Sequence, residues 1–410
     1  MARVLICSEV YFPEDMEFVI PETLEIERDV QISRLDNSVD FHEKARRADL
    51  VLFFLTGDNL ARFMNKALND PQYKELFSKK GPRLALWSYD SHHMHHLESP
   101  LQRYFDGFYI SHESCRQYFS PDNLTVIPCA HLNSIKGELN IQQYDFEMHR
   151  DLCFPYGMYE WSPRNTLAYE AEKIFRRKDL NYMFGSCFGD IKKMGEGGNF
   201  RWLLSSSKIC FNLSLLDDFN MRNFEAQACN RVLLTNKVAE HDIVDMDLSH
   251  TFFFQRDLSD LPQVLEKALE ADVSTCDSAK NVLHNHMLIH RFLFIINREL
   301  GTEYKVNIPV ESTTEKVHIS ENLLNMGSDD VVVYDRQQLA VNAVSACIYE
   351  KKYPQANDVY GNFYTELCQR GTKADAEQFS QQVYDTISKS FRIPQDGPTQ
   401  RFLKKIRPAQ

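Results

Sequence analysis

The sequence lacks the features of a secreted or membrane protein. No apolar run approaches the roughly 18 to 20 residues that span a bilayer. The apolar start at residues 1–8 is too short for a signal peptide and predicts a buried first strand. The ten cysteines form no CxxC pair and no disulfide framework, which favours reduced core thiols. We therefore expect a cytoplasmic protein without a transmembrane span.

Positive charge and glycine-rich loops are also scarce. The formal net charge is −12, which disfavours non-specific binding to DNA or anionic membranes because their phosphates would meet a negative field. The first half has no glycine-rich loop after its first strand, so its motifs do not define a ligand. Hydrophobic residues make up 43% and aromatic residues 12%, as in a folded globular chain.

Short apolar runs alternate with amphipathic stretches, a pattern typical of βαβ units around parallel sheets. Strands are predicted at residues 3–8, 49–55, 83–89, 107–111, 124–128, 152–156, 181–185, 208–214, 232–236, 251–255 and 329–334. Helices are predicted at residues 58–68, 163–177, 222–229, 258–270, 274–300 and 374–388. The polar segment 132–150 is predicted to be a linker. At 410 residues the chain is too long for one ordinary core.

These patterns predict an α/β fold with two Rossmann-like domains facing across a cleft. The first domain would cover residues 1–145, and the second would cover residues 146–310. A mostly helical extension of unknown role would follow at residues 311–410. It could form a third small domain, bind an acceptor or mediate a homo-oligomer.

The most informative segment is 208–236, which predicts a strand, a loop, a helix and a second strand. Asn212 ends the first strand, and Asn220, Arg222 and Glu225 lie where the helix begins. In an open α/β sheet, ligands bind outside the carboxyl ends of the strands. A cation and exposed helix N–H groups there suit a diphosphate, and a carboxylate one turn further on can bind ribose hydroxyls. The segment therefore predicts a nucleotide-sugar donor site.

Several pieces between residues 150 and 300 occur in the order found in a known family. They are the glycine, tyrosine and arginine of 157–164, Gly185 at the end of a strand, the serine–lysine–strand–asparagine piece of 207–214, the R-x-F-E helix containing Arg222, Phe224 and Glu225, and the histidine–arginine ending of 286–291. Together they resemble the GT-B glycosyltransferases of group 1, especially the CgeB-like branch named after spore-maturation proteins.

The resemblance implies transfer of a hexose or pentose from a nucleoside-diphosphate sugar, such as a UDP- or GDP-sugar, to an acceptor hydroxyl. It implies retention of configuration and no metal or other cofactor. It places Glu225 at the donor ribose and Arg222 and Arg164 at the diphosphate. Lys208 and Asn212 would lie nearby, and Gly185, Asn220 and Phe224 complete the predicted donor-binding set.

The sequence departs from the family pattern at two positions. The acid eight positions before the ribose glutamate is Asp217 instead of glutamate, which puts its contact with the sugar in question. The glycine that usually closes the turn after the helix is Asn230. Asparagine tolerates a left-handed backbone better than other non-glycine residues, so we expect the turn to persist.

The catalytic candidates are Asp90, His92 and Asp217. Asp90 and His92 follow a predicted strand of the first domain and would project from its carboxyl end into the cleft. His92 and His96 have the i,i+4 spacing that metals use. No third type of ligand accompanies them, so we predict no metal site.

Other interpretations stay open. Arg222 and Glu225 are three residues apart and could form an ordinary ion pair worth about a few tenths of a kcal/mol. The fold also hosts nucleotide-sugar epimerases, and a donor pocket could persist in a non-catalytic assembly protein. The acceptor could be a glycan, a protein, a small molecule or, as in some viral systems, modified DNA.

Overall fold

The computed structural model describes residues 1–8, 23–29, 38–55, 57–77, 81–132, 138–139, 144–156, 162–186, 203–215, 218–308, 317–319, 332–333, 335–390 and 397–406. Within these ranges the chain forms two six-stranded sheets flanked by helices, together with a small two-stranded sheet. Among the helices of the described ranges, none is both long and apolar enough to cross a bilayer.

The first unit is an entirely parallel sheet with the order β2-β1-β3-β4-β5-β6. Its strands are β1 Ala2–Ser8, β2 Leu24–Asp29, β3 Leu50–Phe54, β4 Arg83–Ser88, β5 Gly107–Ile110 and β6 Leu124–Val126. All five residues of β3 are buried, as expected for a central strand covered on both faces. The apolar-run criterion missed β2, because acidic residues alternate with Leu24 and Ile26 along this edge strand.

Helices cover the faces of the first sheet. They are α1 Ser38–Arg47, α2 Gly57–Asn69, α3 Pro71–Leu76 and α4 Ser91–Glu98, with 3-10 turns at Ser99–Tyr104 and Glu113–Tyr118. Phe41, Phe53 and Phe63 pack between α1, α2 and the sheet. The amphipathic pattern of residues 58–68 correctly predicted α2.

The second unit repeats the same winding. Its strands are β8 Arg150–Pro155, β9 Tyr182–Ser186, β10 Ser207–Asn212, β11 Val232–Asn236 and β12 Thr251–Phe254. They are parallel and lie in the order β12-β11-β10-β8-β9. The helices are α5 Arg164–Arg177, α6 Arg222–Ala228 and α7 Leu261–Glu270, with 3-10 turns at Ala239–Asp242 and Val273–Thr275. In both sheets the side on which consecutive strands are added therefore changes next to the first strand. This change lies between β1 and β3 in the first sheet and between β8 and β10 in the second.

The prediction of one continuous helix over 274–300 is wrong. The structure has a short helix α8 Ser278–Asn281, a π-helical turn Val282–His286 and then helix α9 Leu288–Leu300. Met287 between them is extended, with φ −71° and ψ 155°. The N–H of His131 donates to the carbonyl of His286 at 2.8 Å, and the N–H of Leu288 donates to the carbonyl of His131 at 2.9 Å. This long-range pairing interrupts the helix.

Helix α9 returns to the first unit and packs against β3 and β4. Glu299 on α9 is bound by Arg83 at 2.7 Å and accepts a hydrogen bond from the hydroxyl of Tyr109. The left-handed Gly301, with φ +66°, ends the helix where the sequence predicted a stop. A helix late in the chain thus completes the core of the first unit.

The C-terminal region is joined to the second unit. Strand β14 Val332–Val333 pairs antiparallel with β9, and β13 Val317–Ile319 pairs with β7 Tyr144–Phe146. The helices that follow are α10 Arg336–Tyr349, α11 Tyr353–Arg370, α12 Lys373–Ser390 and α13 Pro398–Ile406. Helix α10 packs on α5, and its apolar residues share a core with Phe154 and Phe211 of the second sheet.

The predicted fold class is confirmed. The chain has two parallel Rossmann-like sheets and a mostly helical C-terminal region, which is the architecture that the GT-B resemblance implies. The structure also shows which sides of the two sheets face each other, because one pocket is lined by segments that follow strands of both.

Candidate functional site at the interface of the two sheets

A pocket lies where the carboxyl ends of the two sheets meet. The first unit contributes residues that follow β3, β4, β5 and β6, and the second unit contributes residues 218–221 after β10. We call it the interface pocket. It is partly open to solvent, and it contains about 480 Å³ of unfilled space when the open mouth is included. Its second-unit wall follows β10, which borders the β8/β10 reversal where ligands of open α/β sheets bind.

The wall from the first unit carries Asp90, His92 and His112. Asp90 precedes α4, His92 lies in its first turn, and His112 follows β5. The rings of His92 and His112 are 4.3 Å apart between centroids. The structure therefore brings together the two predicted residues Asp90 and His92 with a third side chain that the sequence analysis did not select.

Both imidazoles are held in the neutral form. Burial lowers the pKa of His112 to about 4. Burial also lowers the pKa of His92 far below its ordinary value, and neighbouring imidazoles and Arg164 lower it further. Nε2 of His112 donates to the carbonyl of Tyr89 at 3.1 Å. Nδ1 of His92 and Nδ1 of His112 are buried and have no hydrogen-bond partner among the described residues.

Asp218 is the acidic group of the opposite wall. It is buried, and its Oδ1 accepts a hydrogen bond from the N–H of Leu215. Burial raises its pKa to about 7, while nearby Arg164 acts in the opposite direction and Asp90 adds to the rise. A carboxyl group that is half protonated near neutral pH can donate or accept a proton there. The predicted Asp217 lies outside the described residues.

Arg164 begins α5 on the second-unit side and acts electrostatically on groups of both walls. Its charge lowers the pKa of Asp218, of His92 and of His93. The guanidinium of Arg164 therefore lies within electrostatic range of a carboxyl group, Asp218, and of an imidazole, His92, of the pocket.

Arg222 and Glu225 lie in the first turn of α6, directly after Asn220 and Met221 of the pocket wall. They form an i,i+3 ion pair with each other, and their side chains are 18% and 19% exposed. This is the ion pair that an arginine and a glutamate three residues apart on a helix were expected to form. Neither side chain is among the residues that line the interface pocket, and both are partly exposed beside its wall.

The two predicted asparagines organise the loop after β10. The side-chain amide of Asn212 donates to the hydroxyl of Thr235 at 3.1 Å and accepts from the amide of Asn220 at 3.2 Å. Oδ1 of Asn220 in turn accepts from the N–H of Arg222 at 3.2 Å. Asn212 is almost fully buried, so its observed contacts position the loop that carries Asp218 and Arg222.

Among the predicted donor-site residues, Asn220 lines the interface pocket, and Lys208, Phe224 and Gly185 make their contacts elsewhere in the second unit. Lys208 lies near the start of β10, opposite to Asn212, and its ammonium group donates to the carbonyl of Leu269 in the last turn of α7. Phe224 is fully buried, with its ring stacked on that of His286. Gly185 lies at the carboxyl end of β9, and its carbonyl accepts the N–H of Tyr156 at 3.0 Å within the sheet. These contacts stabilise the unit instead of lining the pocket.

His112 and Asp218 were missed for different reasons. His112 follows the correctly predicted strand β5, so the strand-end rule that selected Asp90 would have found it too. Asp218 is adjacent to Asp217, and the family spacing pointed to Asp217. No periodic pattern in this part of the sequence singles out Asp218.

Within the described ranges, no three His, Cys, Asp or Glu residues are grouped as ligands for a metal ion. His92 lines the interface pocket beside His112, whereas the neighbouring His95 stacks on Tyr118 with ring centroids 4.0 Å apart.

No family model and no curated protein sequence matches this chain. Solved structures show partial likeness. Sucrose-phosphate synthase from Thermosynechococcus elongatus aligns with 73% of this chain and 99% of its own, at 9% identity and a TM-score of 0.43. HepE from Anabaena, solved with UDP and glucose, aligns with 74% and 100%, at 10% identity and a TM-score of 0.44. UDP-GlcNAc 2-epimerase from Methanocaldococcus jannaschii aligns with 73% and 100%, at 10% identity and a TM-score of 0.34.

Proposed function

We propose that the protein is a glycosyltransferase that moves a sugar from a nucleoside-diphosphate sugar to an acceptor hydroxyl. The observation that carries the proposal is the interface pocket. It lies at the carboxyl ends of two parallel sheets, beside the β8/β10 reversal, and combines carboxyl groups, neutral imidazoles and a nearby guanidinium. This is the set of groups that a reaction with a departing anion and a reacting hydroxyl requires.

The second unit would hold the donor. Arg164 and Arg222 supply positive charge for the diphosphate, and Glu225 supplies a carboxylate for the ribose hydroxyls. Arg222 is paired with Glu225 in this structure, so a bound donor would exchange this contact for contacts with phosphate and ribose oxygens. Neutralising the leaving diphosphate is worth several kcal/mol in the transition state.

The first unit would place the acceptor against the anomeric carbon. Glycosyl transfer passes through a state with oxocarbenium character, which nearby carboxylates stabilise. Asp90 and Asp218 lie on opposite walls of the pocket, so both can act on the sugar between them. The unpartnered Nδ1 atoms of His92 and His112 can bind hydroxyl groups.

Donor binding provides the first test. Isothermal titration with UDP-, GDP- and dTDP-sugars should show one preferred donor. Arg222→Ala and Glu225→Ala should each weaken its binding by on the order of tenfold or more, because a hydrogen bond to a charged group contributes about 1.5–3 kcal/mol. Arg47→Ala is the control, since it removes an exposed i,i+4 ion pair on α1. Wild-type affinity in both site variants would defeat the assignment.

Product analysis separates transfer from the chemistry of an epimerase. A transferase releases the nucleoside diphosphate and needs an acceptor or water, whereas an epimerase changes the sugar configuration while it is still bound to the nucleotide. The family resemblance further implies retention of configuration and independence of metal, and we propose both. NMR of the anomeric proton in the product tests the first, and turnover after dialysis against EDTA tests the second.

A further inference from the structure

The interface pocket is lined mainly by apolar and aromatic side chains on both sides. Phe54, Trp87, Tyr89 and Leu132 come from the first unit, and Phe219 and Met221 come from the second. Phe54, Trp87 and Phe219 form the buried end, while Tyr89, Leu132 and Met221 are half-buried. The rings of Phe54 and Tyr89 are 4.7 Å apart. An apolar surface of this kind gains most from a flat apolar ligand.

The polar groups of the pocket are few and carry no positive charge of their own. Asp90 and Asp218 are the acids, and the imidazoles of His92 and His112 are neutral. The guanidinium of Arg164 is close enough to lower the pKa of Asp218 and of His92. A carboxylated or phosphorylated acceptor would therefore meet carboxyl groups in an apolar surrounding, where like charges repel strongly.

A glycan would also be poorly matched. A sugar ring exposes several hydroxyl groups, and each one that is buried without a partner costs free energy. The polar side chains among its described lining residues are Tyr89, Asp90, His92, His112, Asp218 and Asn220, and the rest of the lining is mainly apolar. With Asp90 and Asp218 assigned to the donor sugar, most hydroxyl groups of a saccharide acceptor would lie against apolar surface.

On the basis of the proposed function, we infer that the acceptor is an uncharged aromatic alcohol whose ring lies against Tyr89, Leu132 and Met221. In the transfer, a bond forms between the acceptor oxygen and the anomeric carbon. The bond between that carbon and the diphosphate oxygen breaks, and its electron pair leaves with the diphosphate, which also takes the hydroxyl proton. The aromatic ring selects the acceptor, and the histidines orient its hydroxyl group.

The test compares three acceptors with the full-length protein and its preferred donor. Umbelliferone is an uncharged fused-ring phenol, a carboxylated umbelliferone adds one negative charge, and maltose is a neutral saccharide. We expect umbelliferone to bind with one site per chain and to be glycosylated. The transfer rates with the carboxylated form and with maltose should each be lower by on the order of tenfold or more. Pocket contacts of this kind can supply such discrimination.

A charge placed in the pocket should reverse the preference. Leu132→Lys puts an ammonium group beside the ring and should weaken umbelliferone binding while improving acceptance of the carboxylated form. Leu248→Lys makes the same substitution at an exposed position of the second unit and should leave the acceptor preference unchanged. Fluorescence of the two umbelliferones measures binding directly, and release of the nucleoside diphosphate measures transfer.

Two negative outcomes can be told apart. Donor turnover with maltose but not with umbelliferone would overturn this inference and leave the proposed function standing. Absence of donor binding and of turnover with all three acceptors would overturn the proposed function, and the acceptor assignment would fall with it. An unchanged preference in Leu132→Lys would show that the ring binds elsewhere.

Discussion

Asp218 is a carboxyl group whose surroundings favour its protonated form. Burial raises its pKa from 3.8 to about 7, and the opposing effect of Arg164 is smaller. The folded protein therefore holds this proton more tightly than the unfolded chain does. The contribution of Asp218 to stability is fully present below about pH 4 and is lost as the pH rises to about 7.

The variant Asp218→Asn removes this titration. Its amide oxygen can still accept the hydrogen bond from the N–H of Leu215. We expect the Tm of the variant to exceed that of the wild type at pH 8 and the difference to shrink as the pH is lowered to 5. Differential scanning calorimetry across this range measures it, with the exposed Asp122→Asn as the control. A Tm difference that does not change with pH would contradict the assignment of this pKa.

Individual residues also show how far the sequence alone could lead. Asn230 was expected to tolerate a left-handed turn, and its φ is +52°. Its side chain accepts the N–H of Ala279 at 2.8 Å, a contact that glycine could not make. The family resemblance assigned both Lys208 and Asn212 to the donor site. A strand rises about 3.3 Å per residue, so Lys208 and Asn212 lie near opposite ends of β10 and contact different parts of the second unit.

Among the elements, the buried strands were the most predictable, because a continuous apolar run has few other stable positions in an α/β fold. The R-x-F-E helix and its neighbouring strands were found within one or two residues. The break at Met287 could not be predicted, because it depends on hydrogen bonds with His131, more than 150 positions earlier in the chain. Local periodicity carries no information about such a partner.

Helix α10 of the C-terminal region is attached to α5 by a largely buried ion cluster. Nε of Arg336 is 3.0 Å from Oε2 of Glu172, and its guanidinium also binds Glu366. The hydroxyl of Tyr182 donates to Oε1 of Glu172 at 2.6 Å. Since the side chain of Glu172 is only 1% exposed, it depends on Arg336 for much of its compensation.

Arg336→Met should therefore lower the free energy of unfolding by about 3 kcal/mol, because the buried Glu172 would lose its closer guanidinium and keep that of Arg176 at 3.9 Å. Urea denaturation followed by circular dichroism measures the loss. Arg370→Met is the matched control, because Arg370 binds the same Glu366 at 3.2 Å but is 69% exposed. We expect less than about 1 kcal/mol from it. If Arg336→Met lost as little free energy of unfolding as Arg370→Met, apolar packing and not the ion cluster would hold α10 in place.

Over the whole molecule, the interface pocket is bounded by contacts that join the two units at separate places. The N–H of Glu113, after β5, donates to the buried carboxylate of Glu240, after β11, at 2.6 Å. The chain passes between the two units in the segments at His131 and at Met287, and these two segments are hydrogen-bonded to each other. Arg291 reinforces them by donating to the carbonyl of Pro128 at 3.1 Å. The spacing of the pocket walls therefore depends on contacts between residues that are distant in sequence.

The last of these connections is α9, which leaves the second unit and fills the core of the first. The ring of Phe292 lies 5.4 Å from that of Phe54 and 5.6 Å from that of Trp87, both of which line the pocket. Phe292→Ala should lower the free energy of unfolding by about 3–5 kcal/mol. It should also reduce the near-ultraviolet circular dichroism of the tryptophans, because Trp87 loses a packing partner.

Phe294→Ala, two positions further along the same helix, provides the control, since Phe294 is 48% exposed. Its loss should stay within about 0.5 kcal/mol. If α9 completes the first unit, Phe292→Ala should also weaken ligand binding in the interface pocket, because the wall formed by Phe54 and Trp87 would lose its support. A destabilised Phe292→Ala variant with unchanged ligand affinity would place the binding surface away from these two side chains.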